Sequence, residues 1–246
     1  MHVTSPIKMT PLYDFRSITT VDIPACFKIA ALSMQDDKQN QFKAACRDDP
    51  YDHEEGMRGA LQHWTKPGSR SQTVLATDRN SGAVVGWMVW NYHEPKPEIP
   101  VAELEPVSEQ EGQKTQQARS SKARLEAYSS SEMQKWMKVL TPVSSRRMYI
   151  CSIAVLPRFQ GKGAGSLLVE QMTDLADADE QGVFCWVQAS EGSEAFYNKH
   201  AFETVGRTTV ELDAWNNGDL NDLPNGGSWG MYSWPYMRRE ATSHLK

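Results

Sequence analysis

The segment "SIAVLPRFQGKGAGSLLVEQM", residues 152–172, decides how the rest of this 246-residue sequence is interpreted. Strand-forming residues lead to Pro157, a basic and glycine-rich stretch follows, and apolar residues then recur at helical spacing. Because glycine lacks a Cβ atom, the main-chain N–H groups of such a stretch can approach a ligand closely. A helix that begins directly afterwards adds free amides and the positive end of its dipole. The pattern therefore predicts an anion site, for which a phosphate is the natural ligand.

Two familiar phosphate-binding loops do not fit this segment. A Walker A loop places lysine and a hydroxyl residue directly after its last glycine, whereas Gly165 is followed by serine and leucine. A dinucleotide fingerprint has the spacing GxGxxG and begins tightly at the end of its strand. Here the glycines alternate as GxGxG, and residues 157–160 separate them from the strand.

A third pattern, R/Q-x-x-G-x-G/A, is met by Arg158, Gly161 and Gly163. In this setting the sequence resembles the GNAT acyltransferases, a superfamily that transfers acetyl groups from acetyl-CoA. The segment "SIAVLPRFQGKGAGSLLV" is similar to their cofactor motif. The segment "CWVQASEGSEAFYNKHAFETVG" resembles the next part of that family, a buried strand followed by a helix that carries FYxxxGF. Together the two segments cover residues 149–206 in the order and spacing of the family.

The resemblance implies a mixed α/β (α+β) fold of the GNAT type. Its central sheet is mostly antiparallel and twisted, its strands splay apart at the acetyl-CoA site, and helices cover both faces. We expect residues 1–246 to form one such domain, with an insertion at about 94–147 between the third and fourth strands.

The resemblance also implies a cofactor site. The main chain of Ile153 and Val155 would bind the pantetheine arm, and the amides of Gln160 to Gly165 would hold the pyrophosphate. The basic side chains of the loop add positive charge at its edge. The predicted cofactor-binding residues are Ile153, Val155, Arg158, Phe159, Gln160, Gly161, Lys162, Gly163, Ala164, Gly165 and Ser166.

Tyr197 matches a family tyrosine that often protonates the departing CoA thiolate. A phenol with a reference pKa near ~10 can donate a proton to a thiolate as the C–S bond breaks. The alternative is that the Tyr197 ring only packs against the cofactor. The glycine of the family's FYxxxGF pattern is Ala201 here, which predicts a slightly different turn.

The sequence offers no general base at the position where many members of the family carry a glutamate. Tyr149, Cys151 and Ser152 occupy that strand instead. His93 and Glu94, which follow the preceding hairpin, are substitutes by position only. A thiol at Cys151 could form an acyl-enzyme, but no histidine partner is evident. Direct transfer to an amine is therefore the favoured mechanism, with the Val155 amide as a donor to the thioester carbonyl.

Other segments predict the elements around this site. A strand and then a helix from Ile23 to Met34 are expected near the N-terminus, with Asp22 as N-cap and Pro24 in the first turn. A weaker helix is expected over "DHEEGMRGALQHWTK", and a hairpin over residues 74–90. In the last third we expect a strand at 149–155, a helix at 165–178, a buried strand at 182–189, a short helix at 192–200, and two strands in "TTVELDAW" and "WGMYSWPYM".

The insertion differs in composition from the rest of the chain. Its first part is rich in Pro, Glu, Gln and Ser, so we expect part of it to be mobile. Its second part predicts a helix, in which Ser131 and Gln134 match a capping box. Either the insertion is a solvated segment whose helix packs on the core, or it is a lid over a site. Together with the loop at residues 216–228, we expect it to shape the acceptor pocket.

Composition excludes several classes of function. The formal net charge of -5 argues against nucleic-acid binding, which depends on clustered Lys and Arg. No apolar run is long enough for a membrane span, and no secretory signal is evident at the N-terminus. The four cysteines and six histidines form no metal-binding pattern, so we expect no metal. The protein is expected in the cytoplasm, as a monomer or homodimer.

The sequence as a whole predicts an acetyl-CoA-dependent N-acetyltransferase. A small-molecule amine is favoured over a protein tail as acceptor because the insertion is long. Three alternatives stay open: a protein or peptide N-acetyltransferase, an O-acyltransferase, and a catalytically silent CoA-binding protein with the same fold. An O-acyltransferase would need a stronger base than the sequence offers.

Overall fold

The computed structural model describes residues 12–95, 120–141, 145–221 and 227–241, and they form one seven-stranded sheet with helices on both faces. The strands are β1 (Tyr13–Ser17), β2 (Ser71–Asp78), β3 (Val84–His93), β4 (Arg147–Val155), β5 (Phe184–Gln188), β6 (Glu203–Glu211) and β7 (Met231–Arg239). Their order in the sheet is β1-β2-β3-β4-β5-β7-β6. All neighbours pair antiparallel except β4 and β5, which are parallel. This arrangement confirms the predicted mixed fold with a mostly antiparallel sheet.

Six α-helices accompany the sheet in the described part of the chain. They are α1 (Ile23–Ser33), α2 (Lys38–Ala44), α3 (His53–Trp64), α4 (Ser121–Leu140), α5 (Ala164–Ala178) and α6 (Glu194–Asn198). The sequence patterns predicted α1, α3, α5 and α6 to within a few residues. They did not predict α2, which begins after Asp37, an N-cap whose side chain accepts a hydrogen bond from the Asn40 amide.

Alternating side chains of β3 divide the core between the two faces of the sheet. Trp87 and Val89 pack with α1 and α3, and the Trp87 indole donates a hydrogen bond of 2.8 Å to the carbonyl of Cys26. Met88 and Trp90 face the other way and pack with α5. A third cluster joins α2 and α4 to the β5–β7 end of the sheet. Each cluster consists mainly of buried aliphatic and aromatic residues. This packing holds β3 and β4 in fixed positions.

Asp22 stabilises the start of α1, but not in the way that the sequence predicted. Its carboxylate forms no capping hydrogen bond to the helix. Instead it accepts hydrogen bonds from the Thr19 amide at 2.8 Å and from both terminal guanidinium nitrogens of Arg16 at 2.7 Å each. These bonds hold the pKa of Asp22 well below its usual value. The residue therefore fastens the turn between β1 and α1.

The ordered helix of the insertion is longer than predicted and packs on the sheet. Helix α4 begins at Ser121, capped by the Ser120 side chain, so Ser131 lies inside the helix and is not its cap. The Asp219 carboxylate accepts hydrogen bonds from the amide and hydroxyl of Ser121. Near its other end, Trp136 stacks on Tyr236 of β7, with ring centroids 5.0 Å apart. The predicted mobile part of the insertion lies outside the described residues.

The last two predicted strands are present with shifted ends. In "TTVELDAW" the strand stops at Glu211, and Leu212–Trp215 forms a 3-10 turn. The Asp213 carboxylate accepts hydrogen bonds from the main-chain amides of Trp229 and Gly230. This closes the connection to β7. None of the described helices is both long and apolar enough to cross a membrane.

Candidate functional site

The main cleft opens where β4 and β5 separate. The two strands pair only at Arg147–Phe184, Met148–Cys185 and Tyr149–Trp186, although β4 continues to Val155. Beyond that point, one edge of β4 pairs with no other strand of the described residues. A cleft of about 780 Å³ lies there, lined by β4 residues 150–155 on one side and residues 187–190 on the other.

The glycine-rich loop forms the wall of this cleft at the end of β4. A 3-10 turn, Pro157–Phe159, leads into it, and α5 begins at Ala164 directly after it. Gly161 and Gly163 adopt left-handed conformations, with φ of 70° and 88°. A Cβ atom at either glycine would meet no atom within 4 Å, so the main chain on this side is open. These positive φ values are the reason that the sequence needs glycine there.

The main-chain amides of the loop have the arrangement expected of an anion site. No main-chain hydrogen bond in the described structure uses the amides of Gly161 to Ser166, and the first bond of α5 runs from Leu167 to Gly163. The Gln160 amide is an exception, because it donates to the Pro157 carbonyl at 3.1 Å. The predicted role of the Gln160 amide in binding the pyrophosphate therefore stays a prediction, and it would require this hydrogen bond to be shared or broken. The amides without a main-chain acceptor begin at Gly161.

The predicted cofactor-binding residues divide into those that line the cleft and those that support the loop. The lining set contains Ile153, Val155, Gln160, Gly161, Gly163, Gly165 and Ser166. Ala164, the first residue of α5, is fully buried, and the Phe159 ring packs edge-on against Tyr13 with centroids 6.5 Å apart. The charged groups of Arg158 and Lys162 lie 5.2 and 5.7 Å from the centroid of the same Phe159 ring. Their positive charge is thus held at the outer edge of the loop.

One of the main-chain groups predicted for the pantetheine arm is already engaged. The side-chain amide of Gln160 donates a hydrogen bond of 3.0 Å to the Val155 carbonyl. This bond links the end of β4 to the loop. The Val155 amide and the Ile153 main chain stay on the edge of β4 that lacks a neighbouring strand.

Tyr197 lies on α6 and reaches the cleft from the β5 side. Its side chain is 3% exposed, and its ring contacts Phe196 and Phe202 edge-on, at 5.1 and 5.5 Å between centroids. Burial raises the pKa of Tyr197 well above the usual value for tyrosine. The phenol therefore keeps its proton throughout the neutral range, as a proton donor must.

A further part of the cleft wall comes from segments that the sequence analysis did not assign to a site. Asp37, His53, Tyr232 and Trp234 line it. The Asp37 carboxylate caps α2 and also accepts a hydrogen bond of 2.8 Å from the Tyr232 hydroxyl. No motif in the sequence joins these residues, because the fold brings them together from α2, α3 and β7.

The residues considered as a base from the sequence are not suited to that role. His93 and Glu94 are not among the residues that line the cleft, and Glu94 forms an ion pair with Arg146 at 3.2 Å. Cys151 does line it, but burial raises the pKa of its thiol to about 12. A thiol that keeps its proton is a poor nucleophile, so an acyl-enzyme through Cys151 is not favoured.

The segments predicted to shape the acceptor pocket, the insertion and the loop at 216–228, lie in large part outside the described residues. None of the described residues of these two segments lines the cleft. Helix α4 contacts α2, where Glu126 pairs with Lys43 at 3.6 Å. Among the described residues, no group of three or more His, Cys, Asp or Glu side chains could hold a metal ion.

The family model for the acetyltransferase (GNAT) family matches residues 34–202. That span contains the loop, β4, β5 and Tyr197, and it is well over half of the chain. The chain belongs to the GNAT acetyltransferase family. Membership makes this protein an acyltransferase and confirms the resemblance on which the site residues were predicted. No curated protein matches the chain by sequence.

Two solved structures show that the GNAT fold extends over almost the whole chain. Arylalkylamine N-acetyltransferase 2 from Aedes aegypti is 13% identical, with a TM-score of 0.56, and the match covers 93% of this chain and 98% of that one. A Corynebacterium glutamicum structure, described as histone acetyltransferase HPA2 and related acetyltransferase, is 15% identical with a TM-score of 0.51. That match covers 94% of this chain and 98% of the other. At such low identity the similarity shows the fold alone.

Proposed function

We propose that this GNAT acetyltransferase transfers an acetyl group directly from acetyl-CoA to the amine of a small, positively charged molecule. The observation that carries the proposal is that one cleft joins an anion-binding loop with a carboxylate. The loop with the free amides of Gly161 to Ser166 and the Asp37 side chain both belong to the walls of this cleft. An acyl donor with a diphosphate and an acceptor with a cationic amine fit these two groups.

The residues of the loop fit a diphosphate by charge and by shape. Successive main-chain N–H groups at the start of α5 provide several donors and the positive end of a helix dipole. The open space around Gly161 and Gly163 permits close approach, and Arg158 and Lys162 add charge at the rim. The open edge of β4 offers the Ile153 main chain and the Val155 amide to an extended polar arm. Acetyl-CoA supplies the activated acyl group in its thioester.

Tyr197 is placed to assist the departure of the leaving group. Its protonated phenol lies in the same cleft as the open edge of β4. Donation of that proton would neutralise a thiolate as the C–S bond breaks. The Val155 amide is the candidate donor to the carbonyl oxygen, where negative charge develops during attack.

A small acceptor is favoured because the cleft walls near Asp37 are tied to each other. Lys38, next to Asp37, donates a hydrogen bond of 2.7 Å to the Met231 carbonyl and pairs with Glu191 at 3.6 Å. These contacts link α2 to β7 and to the segment after β5. A bridge of this kind restricts access for an extended polypeptide, and it leaves room for a compact amine.

Release of free thiol from acetyl-CoA tests the proposal. The panel contains small cationic amines, small alcohols and peptides with free N-termini, with an amine-free reaction as control. We expect release that depends on a small amine and the matching N-acetyl product by mass spectrometry. Release with peptides alone would favour a peptide N-acetyltransferase. Binding of acetyl-CoA without release with any acceptor would identify a silent CoA-binding protein and contradict the proposal.

A further inference from the structure

His53, the first residue of α3, brings an imidazole into the wall of the cleft. Its Nδ1 atom is inaccessible to solvent and forms no hydrogen bond within the described part of the chain. A buried polar atom without a partner costs about 1–3 kcal/mol. Such an atom therefore calls for a specific explanation, and a catalytic role is one of the few that apply.

The imidazole is held in place by its neighbours. The Tyr51 ring packs edge-on against it, with centroids 5.4 Å apart, and the Lys43 ammonium lies 3.9 Å from the centroid of the Tyr51 ring. The Tyr51 amide donates to the Lys43 carbonyl at 3.1 Å, which fixes the segment between α2 and α3. His53 thus has a fixed orientation without a hydrogen bond to its Nδ1 atom.

Several charged groups surround this ring. Burial and the positive charge of Lys43 lower the pKa of His53, and the carboxylates of Asp37 and Asp52 raise it. The lowering effects are larger, so the pKa lies below the usual value of 6.5. Glu126, on α4, pairs with Lys43 and compensates part of its charge. The imidazole is therefore neutral at pH 7, and one of its nitrogens carries an unshared electron pair.

The other titratable groups that line the cleft are less suited to accept a proton. Both oxygens of Asp37 already accept hydrogen bonds, from the Asn40 amide and the Tyr232 hydroxyl. Cys151 and Tyr197 keep their protons because burial raises the pKa of each. The Tyr232 hydroxyl also keeps its proton, since burial raises its pKa, and it donates a hydrogen bond to Asp37. Among the described titratable side chains that line the cleft, His53 is the one whose ring nitrogen has no hydrogen-bond partner.

We propose that His53 is the general base that deprotonates the acceptor amine. This inference rests on the proposed function, because it assigns a residue to the same reaction. The acceptor enters as an ammonium ion, attracted by Asp37. One of its N–H bonds breaks, and that proton moves to the unprotonated ring nitrogen of the His53 imidazole.

Transfer of the acetyl group then follows in the same cleft. The nitrogen lone pair of the amine forms a bond to the thioester carbonyl carbon. The C–S bond breaks, and its electron pair leaves with sulfur, which takes the Tyr197 proton. The nitrogen, now bonded to the acetyl group, gives one more proton to the Tyr197 phenolate, which restores the phenol. His53 then returns its proton to solvent. One proton is released for each acetyl group transferred.

The test compares His53→Gln with His63→Gln, an exposed histidine on the same helix that does not line the cleft. We expect His53→Gln to lower kcat/KM about 100-fold, in the range typical of a general base. The wild type and His63→Gln should lose activity as the pH falls below 6.5 and His53 takes up a proton. This fall should be absent from the residual activity of His53→Gln. KM for acetyl-CoA and the melting temperature should stay near the wild-type values.

Chemical rescue distinguishes a catalytic role of His53 from a purely structural one. Added imidazole should restore part of the activity of His53→Ala, and it should not raise the activity of the wild type. An active wild type with an unaffected His53→Gln would overturn the role of His53 alone. A loss of activity that keeps the wild-type pH profile and is not rescued would do the same. A wild type that releases no thiol with any amine overturns the proposed function, and the role of His53 with it.

Discussion

The six-membered ring of Trp136 lies directly against the α-carbon of Gly206. A Cβ atom added to Gly206 would overlap three atoms of that ring. The same indole stacks on Tyr236 and donates a hydrogen bond of 3.2 Å to the Thr208 hydroxyl. Helix α4 is therefore fastened to β6 and β7 at one point, where a residue without a side chain is required.

We expect Gly206→Ala to lower the free energy of unfolding by about 2 kcal/mol, since the new methyl group and Trp136 cannot both keep their positions. Gly59→Ala is the matched control, because a Cβ atom at Gly59 in α3 meets nothing within 4 Å. Chemical denaturation measures both. The cost of Gly206→Ala should shrink in a Trp136→Leu background. An equal cost in both backgrounds would show that the ring is not the obstacle.

Binding of acetyl-CoA by the glycine-rich loop predicts a second result. Acetyl-CoA should raise the melting temperature of the wild type, because a ligand that binds only the folded state stabilises it. Gly163→Glu should abolish the rise, since it places a carboxylate beside the free amides. Gly82→Glu is the control: Gly82 also has a positive φ, 68° against 88°, and also faces open space, but it lies in the β2–β3 turn. A cofactor-induced rise that survives in Gly163→Glu counts against the anion site.

A role of Tyr197 as proton donor predicts that Tyr197→Phe lowers kcat by about 100-fold and changes the affinity for acetyl-CoA by much less. The substitution keeps the ring that packs against Phe196 and Phe202. Tyr13→Phe, which removes a hydroxyl from a buried tyrosine outside the cleft, should leave kcat unchanged. Isothermal titration gives the affinity and steady-state assays give kcat. Equal losses in both would indicate that Tyr197 serves only to pack the cofactor.

The part of the candidate site proposed to bind acetyl-CoA could be predicted from the sequence because its residues are contiguous. Residues 152–172 run from strand to loop to helix, and glycine spacing reports main-chain geometry directly. The spacing of the glycines did not reveal that the Gln160 amide donates to the Pro157 carbonyl within a 3-10 turn. Such a turn depends on local geometry that the spacing of glycines does not encode.

The part of the candidate site proposed to bind the acceptor amine could not be predicted, because its residues come together only in the folded chain. Asp37 and His53 belong to helices whose patterns reflect packing, and Tyr232 lies nearly 200 residues away from Asp37 along the chain. The misplaced cap at Ser131 has a related cause. Its capping-box pattern is real, but the packing of Trp136 and the cap at Ser120 extend α4 through it. Tertiary contacts override local propensity in both cases.

Recognition of a cationic amine by Asp37 gives the last prediction. Asp37→Asn keeps an oxygen that can cap α2, because Asn and Asp are similarly good N-caps, but it removes the negative charge. KM for a cationic amine should rise about tenfold, the range of a hydrogen bond to a charged group. KM for acetyl-CoA should not change, because Asp37 is the N-cap of α2 and is not part of the anion loop.

Asp52→Asn is the matched control for this change. Asp52 caps α3 in the same way, accepting a hydrogen bond of 3.0 Å from the Glu55 amide, but it does not line the cleft. An amine that is already neutral at the assay pH should respond equally weakly to both variants, since it has no charge for Asp37 to attract. If Asp37→Asn raised KM for neutral and cationic amines alike, the carboxylate would act by shaping the pocket, and charge recognition by Asp37 would be wrong.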